Sequence, residues 1–335
     1  MSSVVTETVE ENSKPKLSLA REINWITVLF QIQITISALC TLHFLLYECY
    51  WTTVIFAFFL IYLGHVGVAA GAHRLWAHQS YKANGFLRFI LILFQTLSGT
   101  GSVYDWVRKH RLHHKHFGTD LDPFNPSKGW FYAHFQSVAL NLSPAQEKEL
   151  KSIDMDDLED DKMVMFQKKW YIPLYIIITL LLPVNAPAEY WGENIYASVF
   201  ILGWFRCAIN LQLSWLIHSA TQIWGLKPGE KFPCDTNLVF IINKSNWLSY
   251  HYMAPWDYQT SEFGQYGQDT ISTFIRVCAA LECAYDLRTV DSKTVRKALT
   301  MSVNEKKNIS ECLRELCEAE EQVENDHHLR PNKYY

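Results

Sequence analysis

The sequence predicts an all-α integral membrane protein: four transmembrane helices, paired as two hairpins, under a cytosolic helical cap that carries histidine boxes. Three observations lead there. Long windows run free of formal charge, histidines cluster directly after one of those windows, and Lys and Arg avoid the two shortest loops between windows. The 335 residues carry 30 Lys+Arg against 34 Asp+Glu, a formal net charge of −4 with no basic block. That balance argues against a nucleic-acid partner. Aromatic residues reach 14%, with 12 Trp, more than an average soluble domain uses.

Taking the elements in order, "WITVLFQIQITISALCTLHFLL" and "WTTVIFAFFLIYLGHVGVAAGA" are each long enough to cross about 30 Å of hydrocarbon as helix. "WYIPLYIIITLLLPV" is shorter, and "IYASVFILGWFRCAINLQLSWLI" carries a single charge, Arg206, expected to face the bundle or the cap. The expected spans are about 25–46, 51–72, 170–187 and 195–217. The alternative, buried helical hairpins in a soluble protein, sits poorly with charge-free runs of this length. The tips at 47–50 and 185–194 lack Lys and Arg, so the positive-inside rule places both termini, 73–169 and everything beyond 217 in the cytosol.

A fifth apolar window, 86–103, contains Arg88 and Gln95 and only a short strongly apolar run, which suits an interfacial or buried helix. The expected organisation is a cytosolic segment 1–24, a main domain 25–300 with its cap from 73–169 and 218–300, and a polar tail 301–335. The leader has no apolar stretch of its own, so no cleavable signal is expected. Ile309, Leu313 and Leu316 in the tail have heptad-like spacing, for packing on the cap or for a partner. Eight Cys occur without a C-x-x-C pair, which speaks against a disulfide framework or a zinc site built on thiols.

Of the 13 His, two sit in "HRLWAH", His73 and His78, where the second span emerges. Three more, His110, His113 and His114 in "HRLHHK", fall at i, i+3 and i+4, one face of a helix. Imidazole is a common ligand of first-row metals, and five imidazoles from two elements on one side of a membrane point to bound iron or zinc.

With "GAHRLWAH", "DWVRKHRLHHK", "TDLDPFN" and "PWDYQTSEFGQY…AYDLRTV", the chain from about 25 to about 300 resembles the membrane acyl-CoA desaturases of the stearoyl-CoA, delta-9 type, most of all their insect branch. The resemblance implies dioxygen-dependent insertion of a cis double bond, usually at carbon nine, into a saturated fatty acyl-CoA at the endoplasmic reticulum membrane. It implies two irons on nine histidines, because an unactivated methylene has no acidic proton for acid–base residues to take. No H-P-G-G haem motif occurs, so electrons would come from a separate cytochrome b5 and its reductase. Pairing with itself or with other desaturases is a further expectation. Trp106 and Trp215 match tryptophans near the acyl chain in the family, or serve as interfacial anchors. Arg108 matches a residue that contacts the CoA moiety, and Lys128 adds charge beside it.

The chain departs from the family at its third box. "LSYHY" stands where H-N-Y-H-H is expected, so His251 matches while Leu248 and Tyr252 replace histidines. In "WLIHSATQIWG", Gln222 replaces a ligand histidine and His218, one turn earlier, offers a displaced one. Six histidines match (73, 78, 110, 113, 114, 251), and three ligand positions are lost. Two functions therefore remain open. One is a desaturase with a rebuilt site; the other is an impaired pseudo-desaturase that binds acyl-CoA or regulates an active desaturase. A zinc-dependent or single-iron hydroxylase is a third. His65, about 12 Å up the second span from His73, is expected to pack or hydrogen-bond instead.

Overall fold

A computed structural model describes residues 18–224, 251–252, 254–260, 269–290 and 292–307, and within the tail 311–313, 315–317 and 319. Leu248, Ile309, His327 and His328 lie outside the described residues, as does the side chain of Gln222. The regular structure of the described residues is helical apart from one two-residue pairing and one isolated bridge, and it includes four helices long and apolar enough to span a bilayer.

These four are α1 (Trp25–Tyr47), α2 (Trp51–Ala77), α7 (Tyr171–Trp191) and α8 (Ile195–Ser219). Between them run α3 (Gly85–Ser98), α4 (Val103–Lys115), α5 (Pro144–Lys151) and α6 (Lys162–Lys169). After α8 come α9 (Thr270–Ala280) and α10 (Ser292–Glu305). Start signals are visible in the sequence. Asn24 accepts a hydrogen bond from the amide of Thr27, Asn84 from Leu87, and Ser102 from Asp105. Ser143 and Gln146 close a capping box on α5.

Burial separates the spans by role. Half or more of the apolar window of α2 and α8 is buried, against 17% for α1 and α7, so α2 and α8 form the inner pair. The outer helices expose Ile26, Leu29, Leu39, Ile172, Ile177 and Leu182, a surface that only lipid can cover favourably. At the far tips, buried Glu193 accepts from the amide of Tyr50 (2.9 Å) and from the hydroxyl of Thr53, tying the two hairpin ends together.

Arg206 faces the bundle. It is fully buried and donates to the carbonyls of Leu202 (2.7 Å), Leu97 (2.9 Å) and Thr179, so one guanidinium joins α8 to α3 and α7. In a low-dielectric interior such a charge persists only when its donors are used.

The fifth apolar window does not continue as one rod. α3 ends at Gly99, whose positive φ of 73° suits glycine, and α4 departs at 82° to it. Gln95, buried at the bend, donates to the carbonyl of Gly101 (2.7 Å) and accepts from Gln167 of α6 (2.6 Å). This bend aims α4, with three histidines, across the mouth of the inner pair. β1 (Lys82–Ala83) pairs antiparallel with β2 (Ala284–Tyr285), bringing the region after α9 against the end of α2. The tail packs on the cap: buried Cys312 and Leu313, with Leu316, meet Ala254, Val290 and Ala298.

Gly67 marks the tightest approach in the bundle. A Cβ there would fall 2.1 Å from the backbone nitrogen of Gln95 and 2.3 Å from the carbonyl carbon of Phe94. Backbone cannot yield as a side-chain tip can, and overpacking of this kind costs about 1–3 kcal/mol or more. Gly67→Ala should lower the thermal unfolding midpoint of the detergent-purified protein by several degrees. Gly203→Ala, whose Cβ would meet only the Val184 side chain at 3.7 Å, should leave it within error.

Candidate metal centre

The last eleven residues of α2, Gly67–Ala77, form a π-helix, and the same i→i−5 bonding continues as the amide of His78 donates to the carbonyl of His73 (3.1 Å). Five residues of ordinary α-helix would leave two side chains about 140° apart. The wider turn brings the rings of His73 and His78 to 4.9 Å, centre to centre. On α4, His110 and His114 are one ordinary turn apart, with ring centres at 4.7 Å. His251 enters from the chain after α8.

The ring nitrogens converge. One nitrogen from each of His73, His78, His110 and His251 lies within 4.8 Å of all the others. Nε2 of His78 is 2.8 Å from Nε2 of His110, and Nε2 of His251 is 3.2 Å from that of His73 and 3.0 Å from that of His114. Ligands bound at about 2.1 Å and at right angles would have their nitrogens about 3 Å apart.

Hydrogen bonding alone accounts poorly for this packing. Nε2 of His251 carries either one proton or one in-plane lone pair, yet faces two other nitrogens at bonding distance. A cation at the centre would satisfy all of them. Nδ1 of His251 is buried and has no partner among the described residues. Burial pushes His78, His110, His114 and His251 well below the usual imidazole range, helped by the neighbouring imidazoles. These rings are therefore neutral, the form that binds metal. The donor set is all nitrogen, suited to iron, zinc or another first-row metal and not to magnesium or calcium.

Of the sequence-derived candidates, His73, His78, His110, His114 and His251 come together and His113 does not. Its Nδ1 meets Oδ1 of Asp122 at 2.7 Å, and its Nε2 meets the hydroxyl of Tyr252 at 3.1 Å. His218 stands one ring behind the cluster, with Nε2 3.1 Å from Nδ1 of His110 and its ring stacked on Phe124 at 3.8 Å. It orients His110 instead of joining the converging nitrogens.

Trp106 stacks on His110 at 4.9 Å and donates its ring N–H to Ser214 (3.2 Å), so it lies against the centre. Trp215 is half-buried and packs beside His134 and Phe135. Arg108 donates to the carbonyl of Leu150 (3.0 Å), and Lys128 pairs with Asp120 (3.0 Å) at the surface.

Four supporting residues are absent from the sequence-derived set. Asp122 holds His113 and accepts the amide of Phe124 (2.8 Å); its only trace in the sequence is its place in "TDLDPFN". Arg74, buried between two box histidines, donates to the carbonyl of Thr260 and lies 3.8 Å from Asp269, the N-cap of α9. His134 is held by Ser219 (2.8 Å) and Gln212 (2.7 Å), and no spacing pattern singles it out. Arg111 fixes the relation of the two boxes, donating to the carbonyl of Trp76 (2.8 Å) and to both oxygens of Asp157.

No protein-family model matches the chain. Individual proteins do. The acyl-CoA Delta-9 desaturase of Acheta domesticus is 38% identical over 291 residues, covering 86% of this chain and 81% of that protein. The acyl-CoA Delta-12 desaturase of Tribolium castaneum is 35% identical over 87% of this chain and 82% of its own length. The stearoyl-CoA desaturase of Homo sapiens is 34% identical over 85% and 79%.

The geometry makes a direct prediction about binding. Chelator-stripped protein should take up ferrous or zinc ion, and His78→Ala should weaken uptake by at least ~100-fold, beyond the cost of losing an outer hydrogen-bond partner. His134→Ala, outside the converging set, should leave the affinity unchanged. Competition titration against a chromophoric chelator reads both.

Proposed function

Because the chain belongs to the acyl-CoA desaturase family, we propose that it inserts a cis double bond into the saturated chain of a fatty acyl-CoA, using dioxygen and two electrons. The observation that carries this reading is the set of five gathered imidazoles beside Trp106, three of them buried, at the mouth of the inner helix pair. Iron on His73, His78, His110, His114 and His251 would supply the oxidising power that a methylene demands. His218, bonded to Nδ1 of His110, holds that ring in orientation.

The residues around the centre have separable parts. Trp106 forms an apolar wall on which a methylene chain can lie, and the burial around it keeps water away from the reacting carbons. Trp215 extends the same role along α8. Arg108, half-buried near α5, and Lys128 supply positive charge for the phosphates of CoA. We take residues 25–300 as the family domain, with its cap from 73–169 and 218–300 and both termini in the cytosol of an endoplasmic reticulum membrane. Cytochrome b5 and its reductase are the electron source in this reading. Carbon nine is our reading of the position, supported by the name of the Acheta domesticus relative; other relatives are named for positions eleven and twelve.

One observation favours a second reading. Both ring nitrogens of His113 are engaged by Asp122 and Tyr252, and the positions of three expected ligands hold Gln222, Leu248 and Tyr252. That favours an acyl-CoA-binding member that does not turn over. Microsomes expressing the chain with cytochrome b5, its reductase, NADH and stearoyl-CoA should form a monounsaturated product, located by mass spectrometry after derivatisation. Trp106→Ala should cut that product at least ~10-fold by loosening the chain at the centre. Stearoyl-CoA binding without product would favour the second reading instead.

A further inference from the structure

We infer that this chain holds one metal ion, on His73, His78, His110, His114 and His251, and that the second metal position expected of its family is closed by a metal-free assembly of His113, Asp122 and Tyr252. The inference rests on reading the imidazole cluster as the metal site, but not on turnover, so metal content and product formation can fail separately.

The argument is an allotment of donors. α4 carries three histidines, but two of them, one turn apart, face His73, His78 and His251, while the third faces away. Asp122 can only accept from His113, because as a carboxylate it has no proton to give. Its Oδ1 lies 2.7 Å from Nδ1, so Nδ1 carries a proton, and in the neutral ring Nε2 then presents the lone pair. In a metalloprotein this carboxylate–histidine arrangement readies Nε2 for a metal. Here the hydroxyl of Tyr252 stands 3.1 Å from that lone pair and can donate into it. A neutral phenol therefore takes the place of a cation.

Among the described residues, the surroundings do not offer a second donor set. Tyr252 is held by stacking on Phe117 at 3.9 Å, and its ring also lies over His114 at 5.3 Å. The displaced His218 has its Nε2 engaged by His110 and its ring face covered by Phe124. The stretch 225–250, outside the described residues, contains no histidine. Among the described residues, aromatic packing and one hydrogen-bond pair thus occupy the space beside His113, where the Tyr252 position lacks its imidazole.

The test is metal stoichiometry in the full-length, detergent-purified chain, loaded anaerobically with ferrous iron and, separately, with zinc. Elemental mass spectrometry should give one ion per chain. His113→Ala and Tyr252→Phe should both retain one ion, while His251→Ala, or His78→Ala should the first variant not fold, should retain almost none. After oxidation by air the iron form should show no visible tyrosinate-to-iron band. Two ions per chain in the wild type would overturn the inference, as would no bound ion in folded protein. So would loss of an ion in His113→Ala, or a visible band that Tyr252→Phe abolishes, since that band would make the phenol a ligand.

Discussion

Four imidazoles whose nitrogens converge, with a fifth, His114, against His251, are costly to assemble where water is largely excluded. Each ring leaves water, and their nitrogens cannot all satisfy one another across 2.8–3.2 Å. The remaining architecture answers that cost. The end of α2 widens into a turn that lets two histidines five residues apart share a side. The 82° bend after α3 brings a second helix across the first. Arg74 and Arg111, both next to box histidines, are paired with Asp269 and Asp157, and their positive charge further disfavours protonation of His251 and His78. Proteins place such strain and burial where a ligand compensates them.

The membrane part positions these pieces with few polar groups. Gly67 lets α2 lie backbone to backbone against α3, and Arg206 pins α8 to α3 and α7 through carbonyl oxygens. A leucine at 206 would leave the carbonyls of Leu97 and Thr179 without that donor in a medium that supplies no water. Glu193 closes the opposite end. The inner pair is thereby fixed at both ends, which holds the histidine-bearing end of α2 beside the lower turns of α8, where Ser214 and His218 meet Trp106 and His110.

Much of this is legible in the sequence, for physical reasons that also set the limit. Charge-free length is a direct consequence of bilayer thickness, so the four spans can be read with little context. The boxes can be read because metal chemistry needs particular side chains at short spacing. What local spacing hides is the division of labour within "HRLHH". Residues at i+3 and i+4 both neighbour residue i, but they lie about 100° apart around the helix axis. His114 therefore joins His110, and His113 turns to Asp122, a partner nine residues on whose position depends on the loop that follows. The π-turn is equally hidden, since no single residue in "GVAAGAHRLWA" announces i→i−5 bonding. His134 is found only through Ser219 and Gln212, which α8 delivers from far along the chain.

The identities at the departed positions are themselves informative. Had position 252 become phenylalanine, Nε2 of His113 would be buried with a lone pair and no donor, a cost of about 1–3 kcal/mol. A tyrosine keeps the aromatic stack on Phe117 and returns a donor to that nitrogen. On the single-metal reading, the protein has not merely lost ligands; it has replaced a coordination bond with a hydrogen bond and packing of nearly the same shape. The five-imidazole side shows the reverse pattern, with Nδ1 of His251 left buried and unpaired among the described residues. One half of the expected centre has been made self-sufficient, while the other half remains incomplete without a cation.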